Sequence, residues 1–116
     1  MTAFLLVAIG GALGTGVRYL LATQASARFP WSILAANLAG SFGLGLVLGS
    51  ASPEVLLFVG VGFCGALTTF STFALDTFVL AREGRLIASS ANIALSVAGS
   101  IAALTAGLGV AGVLGL

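Results

Sequence analysis

The sequence contains no histidine and no lysine, one cysteine, two prolines and only seven charged residues among 116. Each scarcity excludes something. Without histidine, a metal-ligand cluster, an acid pair at catalytic spacing or a nucleophile beside a base, general acid–base, nucleophilic and zinc chemistry lack their parts. An enzyme is not expected. The lone Cys64 forbids an intrachain disulfide and says nothing of redox compartment. Charged residues make up 6% of the chain, against about 25% in a soluble domain. Arg18, Arg28, Glu54, Asp76, Arg82, Glu83 and Arg85 cannot clothe a water-facing surface, and the net charge of +1 points to no charged partner and no nucleic acid.

What is abundant is apolar. Hydrophobic residues reach 59% and the mean hydropathy is +1.24. Four apolar tracts stand at about 3–23, 31–48, 55–80 and 86–113, each near or above the roughly 20 residues that span a bilayer. Residues 1–116 therefore form a single transmembrane domain with short connections. Backbone groups in lipid must be satisfied within their own segment, and the tracts do not alternate as barrel strands do. The fold class is an all-α integral membrane protein with four transmembrane helices per chain. Ala25-Ser26-Ala27 resembles a signal-peptide cleavage site, but Met1-Thr2-Ala3 has no basic residue and Arg18 interrupts the apolar stretch, so the first tract reads as a span.

Seventeen glycines, with Gly10/Gly14 and Gly45/Gly49 in GxxxG spacing, predict close helix–helix packing. No inverted repeat is visible within the chain. Four thin helices cannot enclose a hydrated path alone, so an oligomer is expected.

The densest polar stretch lies at membrane depth, in Gly62-Phe63-Cys64-Gly65-Ala66-Leu67-Thr68-Thr69-Phe70-Ser71-Thr72-Phe73. Gly60, Gly62 and Gly65 each weaken the helix by roughly 1 kcal/mol relative to alanine. Ser and Thr can satisfy backbone groups freed by a break. The pattern predicts a discontinuous third helix, of the kind that marks ion sites in transporters. Phe70 and Phe73 share a helix face, and the positive ring edge can meet a small anion without holding it as a fixed cation would. The same pair could equally be packing aromatics.

Asn37 stands alone within the second span, where an amide faces protein or a cavity rather than lipid. Asn92, Ser96 and Ser100, spaced by four, form one polar stripe on the fourth. Interhelical hydrogen bonding and a hydrated path both place that stripe inward. Arg18 and Asp76 stand near enough to span ends to snorkel.

These residues together resemble the CrcB/Fluc family of fluoride channels. The first span has Gly10-Gly11-Ala12-Leu13-Gly14 and then Arg18-Tyr19. The second has Asn37-Leu38-Ala39-Gly40-Ser41-Phe42 with Gly45. The third has the Gly62–Phe73 stretch. Ser32-Ile33, Ala66 and Asn92 depart from the usual family residues, Asn92 standing where a tyrosine is common. The resemblance implies passive, selective exit of cytoplasmic fluoride across the inner (plasma) membrane, conferring fluoride resistance. It implies an antiparallel dual-topology dimer with two pores, formed with a second copy or a paired homologous subunit. By match, Asn37, Phe70, Ser71, Thr72, Phe73, Asn92, Ser96 and Ser100 would form the anion pathway. The Gly65 and Thr68 carbonyls would hold a structural sodium ion on the dimer axis. A small proton-coupled multidrug exporter is the rival of similar size, but it depends on a first-span carboxylate that is absent here. A structural subunit of a membrane complex is the other alternative.

Charge placement bears on topology. The end with the first and third connections carries Arg18, Arg28, Arg82 and Arg85; the other carries no Lys or Arg. Basic residues near span ends stay cytoplasmic. Four arginines predict termini outside or an oppositely biased partner. If Arg18 is too deep to count, the bias weakens and a dual-topology homodimer remains.

Overall fold

The computed structural model describes residues 1–23, 29–49 and 52–115, and among these every regular element is helical. Helix α1 is Thr2–Thr23 and α2 is Trp31–Leu48. The third span divides into α3, residues 53–67, and α4, Phe70–Arg82; α5 is Leu86–Leu114. Among the described residues four stretches are long and apolar enough to cross a membrane: Thr2–Thr23, Trp31–Leu48, Pro53–Arg82 and Leu86–Leu114. The protein is a multi-pass membrane protein. Arg28 and the Ala25-Ser26-Ala27 stretch lie outside the described residues.

Local chemistry sets the boundaries. Ser52 caps α3 by accepting from the Val55 N–H at 3.4 Å, and Pro53 follows at the first helical position, where its missing N–H costs nothing. Between α4 and α5 the chain turns through Gly84 at φ +80°. The Gly84 N–H donates to the Ala81 carbonyl at 3.1 Å and the Arg85 N–H to the Leu80 carbonyl at 2.9 Å. That is a Schellman stop, and its left-handed position favours glycine.

Burial runs opposite to that of a soluble protein. Phe4, Ile9, Leu20, Ile87, Ile101 and Val113 are exposed, whereas Asn37, Ser89, Asn92 and Ser96 are buried. Lipid is the solvent this surface fits.

Glycine decides which helices approach. On α1, a Cβ at Gly10 would collide with the Phe58 carbonyl, and one at Gly14 with the Phe63 carbonyl. The seam holds α1 parallel to α3 at backbone contact, as small residues permit. A second seam joins α2 to α5: a Cβ at Gly45 would strike the Leu104 carbonyl, and one at Gly107 the Phe42 carbonyl. Gly49, the other member of its GxxxG pair, is exposed at the end of α2. Gly107, remote in sequence, takes the place expected of it. The molecule measures 47 × 30 × 18 Å, and a helix with side chains is about 10–12 Å across. At 18 Å it is a slab less than two full helix diameters thick.

Candidate functional site

The third span breaks at its midpoint. Residues Leu56–Cys64 wind as a wide π-helix, a geometry that often accompanies functional sites, and Gly65–Leu67 make a last α turn. Thr68 (ψ 151°) and Thr69 (φ −148°, ψ 127°) are then extended before the helix restarts at Phe70. The discontinuity expected from Gly60, Gly62, Gly65 and the hydroxyl run is present.

A break orphans backbone groups, and in lipid each must find a partner. Thr69 restarts α4 as its N-cap, its hydroxyl accepting from the Thr72 N–H at 3.2 Å. The Cys64 carbonyl accepts from the Thr68 N–H at 3.1 Å and from its hydroxyl at 3.2 Å. Asn37 clasps Thr69 from α2: its Oδ1 accepts the Thr69 N–H at 2.7 Å and its Nδ2 donates to the Thr69 carbonyl at 3.2 Å. With that N–H drawn to Asn37, the Gly65 carbonyl loses its helical donor and takes the Thr68 hydroxyl at 3.3 Å. Gly40 makes room for this approach, since a Cβ there would strike the Thr68 methyl.

Arg18 corrects an expectation. It does not snorkel to an interface; its Nε donates to the Ala66 carbonyl at 3.0 Å. The glycine seam is the cause. With Gly10 against Phe58 and Gly14 against Phe63, the next turn of α1 comes level with the break. An arginine at the bilayer centre costs roughly 2.5–3.5 kcal/mol on insertion scales, and a hydrogen bond to a charged group offsets about 1.5–3 kcal/mol.

Beside the break lies an open groove of about 340 Å³. Asn37, Phe70, Phe73, Ser96 and Ser100 all line it, with Gly65 and Thr68 at the same wall. The two phenylalanine rings stand 5.8 Å apart, tilted by 56°, an arrangement that presents ring edges as well as faces. Phe70 is 79% exposed, so one side of the aromatic pair lacks cover within a single chain.

Three expected pathway residues lie off this wall. Ser71 stands 3.4 Å from the Thr69 hydroxyl, and Thr72 receives the Thr69 hydroxyl at 3.3 Å. Asn92 is 2% exposed. Its Nδ2 donates to Thr77 Oγ1 at 2.9 Å, and its Oδ1 receives the Ser96 hydroxyl at 3.5 Å. The α5 stripe thus begins as a clasp between α4 and α5, strengthened by Ser89 donating to the Thr77 carbonyl at 2.9 Å, and opens into the groove only at Ser96 and Ser100. Sequence reasoning missed Thr77 and the roles of Thr69 and Arg18. A hydroxyl immediately before a restarting helix is a cap signal; nothing local marked the other two.

Among the described residues no group of three or more His, Cys, Asp or Glu gathers. Backbone carbonyl, hydroxyl and amide oxygens are the donors this wall offers a metal ion. The exposed Gly65, with its weakened carbonyl partner, fits a hard cation that takes oxygen ligands.

Residues 5–108 match the family model described as CrcB-like protein, Camphor Resistance (CrcB). The chain is 45% identical over 114 residues to the fluoride-specific ion channel FluC of Chelativorans sp. (strain BNC1), covering 90% of this chain and 91% of the relative. It is also 45% identical over 104 residues to the protein of that name from Methanocaldococcus jannaschii, with 84% of each covered. The Geobacter sulfurreducens relative of the same name is 40% identical over 118 residues, covering 93% of this chain and 95% of the relative.

Proposed function

This chain belongs to the CrcB-like family, and from that premise we propose that it is a fluoride-selective channel through which cytoplasmic fluoride leaves passively. The observation that carries the reading is the groove at the broken third span. It gathers the Asn37 amide, the Phe70–Phe73 pair and the Ser96 and Ser100 hydroxyls at membrane depth. Fluoride needs donors that replace its water, and neutral hydroxyl and amide groups supply them without a fixed charge. Ring edges add a weak positive potential between donors. A path of several weak sites lets an ion enter and also leave.

The rest of the proposal is an antiparallel dimer of this chain with a second copy. An 18 Å slab with an open groove and a 79% exposed Phe70 supports it, because a facing subunit would close the path. Ser71 and Thr72, off the wall in one chain, sit in the first turn of α4, Ser71 exposed and Thr72 half-buried, where a second chain would bring them into use. The Gly65 and Thr68 carbonyls would hold sodium between the copies, and the ion would supply fixed positive charge that ties the two breaks together. Asn92 serves the pathway through Ser96, whose hydroxyl it engages.

The biology follows from acid–base chemistry. Neutral HF crosses a bilayer, ionises in a less acidic cytoplasm and is trapped as fluoride; a passive anion path releases it without ATP. Cells stripped of their own fluoride export should regain growth in fluoride medium when they express this chain. Continued sensitivity, with the protein present in the membrane, would count against the proposal.

A further inference from the structure

Cys64 is the last carbonyl before the break to keep its ordinary helical donor, and the three that follow, Gly65, Ala66 and Leu67, lose theirs and are treated unequally. Cys64 receives both the N–H and the hydroxyl of Thr68. Gly65 receives only a hydroxyl that is shared with Cys64. Ala66 receives the charged guanidinium of Arg18. Among the described residues Arg18 forms no ion pair with a carboxylate, so its charge is directed at this carbonyl.

We infer that Arg18 is the positioning residue of the break: its guanidinium Nε–H fixes the Ala66 carbonyl, and so sets the direction of the neighbouring Gly65 carbonyl and the Thr68–Thr69 extended pair. Successive carbonyls of a helical turn are set about 100° apart around the axis and all point along it toward the C-terminal end, so pinning one peptide plane constrains its neighbours. Asn37 holds Thr69 from α2 and Arg18 holds Ala66 from α1, on either side of Leu67 and Thr68. With both clamps closed, the extended pair cannot relax into continuous helix. With Arg18 gone, the Ala66 carbonyl regains the Phe70 N–H as its only local partner, and the break drifts toward closure. Arginine suits this task because Nε lies in a rigid plane and donates in a set direction, which a lysine ammonium on a flexible stem does not.

The flux part of this inference rests on the fluoride-channel reading; the structural part does not. The test is amide hydrogen exchange of the full chain in lipid, unsubstituted and as Arg18→Gln and Arg18→Lys, with fluoride efflux measured in parallel. Exchange at Thr68 and Thr69 should change by about tenfold or more in both variants, the factor a charge-assisted hydrogen bond carries. Amides of Gly10–Gly14 and Val59–Phe63 should keep their rates, and efflux should fall in step with the break. Unchanged exchange at Thr68 and Thr69, whatever efflux does, overturns the inference. So does acceleration all along α1 and α3, which marks a general loss of packing, or a lysine variant that behaves as the unsubstituted protein, which marks charge alone. If neither variant folds, replacing Leu67 by its α-hydroxy analogue turns the Ala66–Leu67 amide into an ester and weakens the acceptor with Arg18 intact. It must then produce the same local change. Absence of efflux from the unsubstituted protein would sink the channel reading, while the exchange result would still decide the role of Arg18.

Discussion

Phe70 and Phe73 are where side-chain chemistry is most sharply tested. Their rings meet at 5.8 Å beside a groove whose other polar lining groups are neutral amide and hydroxyl. Isoleucine keeps most of the bulk and removes the quadrupole. Phe70→Ile and Phe73→Ile should each slow fluoride efflux at least tenfold while the protein still migrates as the parent does. Parent-like flux in either variant would remove ring edges from the pathway. Asn37 offers a contrasting case, because its amide is committed to the backbone of Thr69 at 2.7 and 3.2 Å. Asn37→Leu should destabilise the fold by roughly 2–3 kcal/mol, two hydrogen bonds at about 1 kcal/mol each plus the cost of unpaired groups. A thermal-unfolding series in detergent would register it. The residue types were legible in the sequence, since a lone amide and paired aromatics at membrane depth are costly without a purpose. Arg18 was not. It stands five positions before the end of its span, which reads as an interface, and only the register of α1 on α3 places it beside Ala66.

Helices α3 and α4 are one span broken in two, and the break was legible because glycines and hydroxyls compete locally with helix. The partners of its loose ends were not legible, because Asn37 and Arg18 are 32 and 48 residues away from the groups they bind and no local pattern encodes that distance. The same division holds for glycine. The Gly10/Gly14 seam followed from spacing, whereas Gly45 pairs with Gly107 across helices and not with Gly49. Gly14→Ala should cost about 1–3 kcal/mol, as overpacking does, because the obstacle is the Phe63 backbone rather than a movable side chain. Gly16→Ala, where nothing lies within 4 Å, should leave stability unchanged or slightly raised. If the two variants melt alike, the seam is not what holds α1. The proposed cation belongs to this scale too. An ion held by the Gly65 and Thr68 carbonyls of folded chains stabilises by linkage, so dimer stability should climb with sodium and not with a bulky organic cation at equal concentration. Identical melting curves in the two salts would remove the ion from the account.

At the scale of the molecule, four spans and inverted burial make a membrane protein, and the thin slab leaves open the groove that the proposed second copy would close. Topology follows from the same geometry. Arg18 lies at the break, too deep to be read as a flanking charge. That leaves Arg28, Arg82 and Arg85 at one end, a weak asymmetry under the positive-inside rule. Reporter fusions at the C-terminus should therefore give cytoplasmic and external signals of similar size. A signal confined to one side would call for an oppositely oriented partner chain. The central claim, that this chain by itself forms a fluoride path, is met most directly by liposomes containing only the purified protein and loaded with fluoride or chloride. When an ionophore carries the counter-ion, the account predicts rapid fluoride efflux and chloride retained at the level of protein-free vesicles. Fluoride release no faster than from empty liposomes, or equal release of both anions, would contradict it.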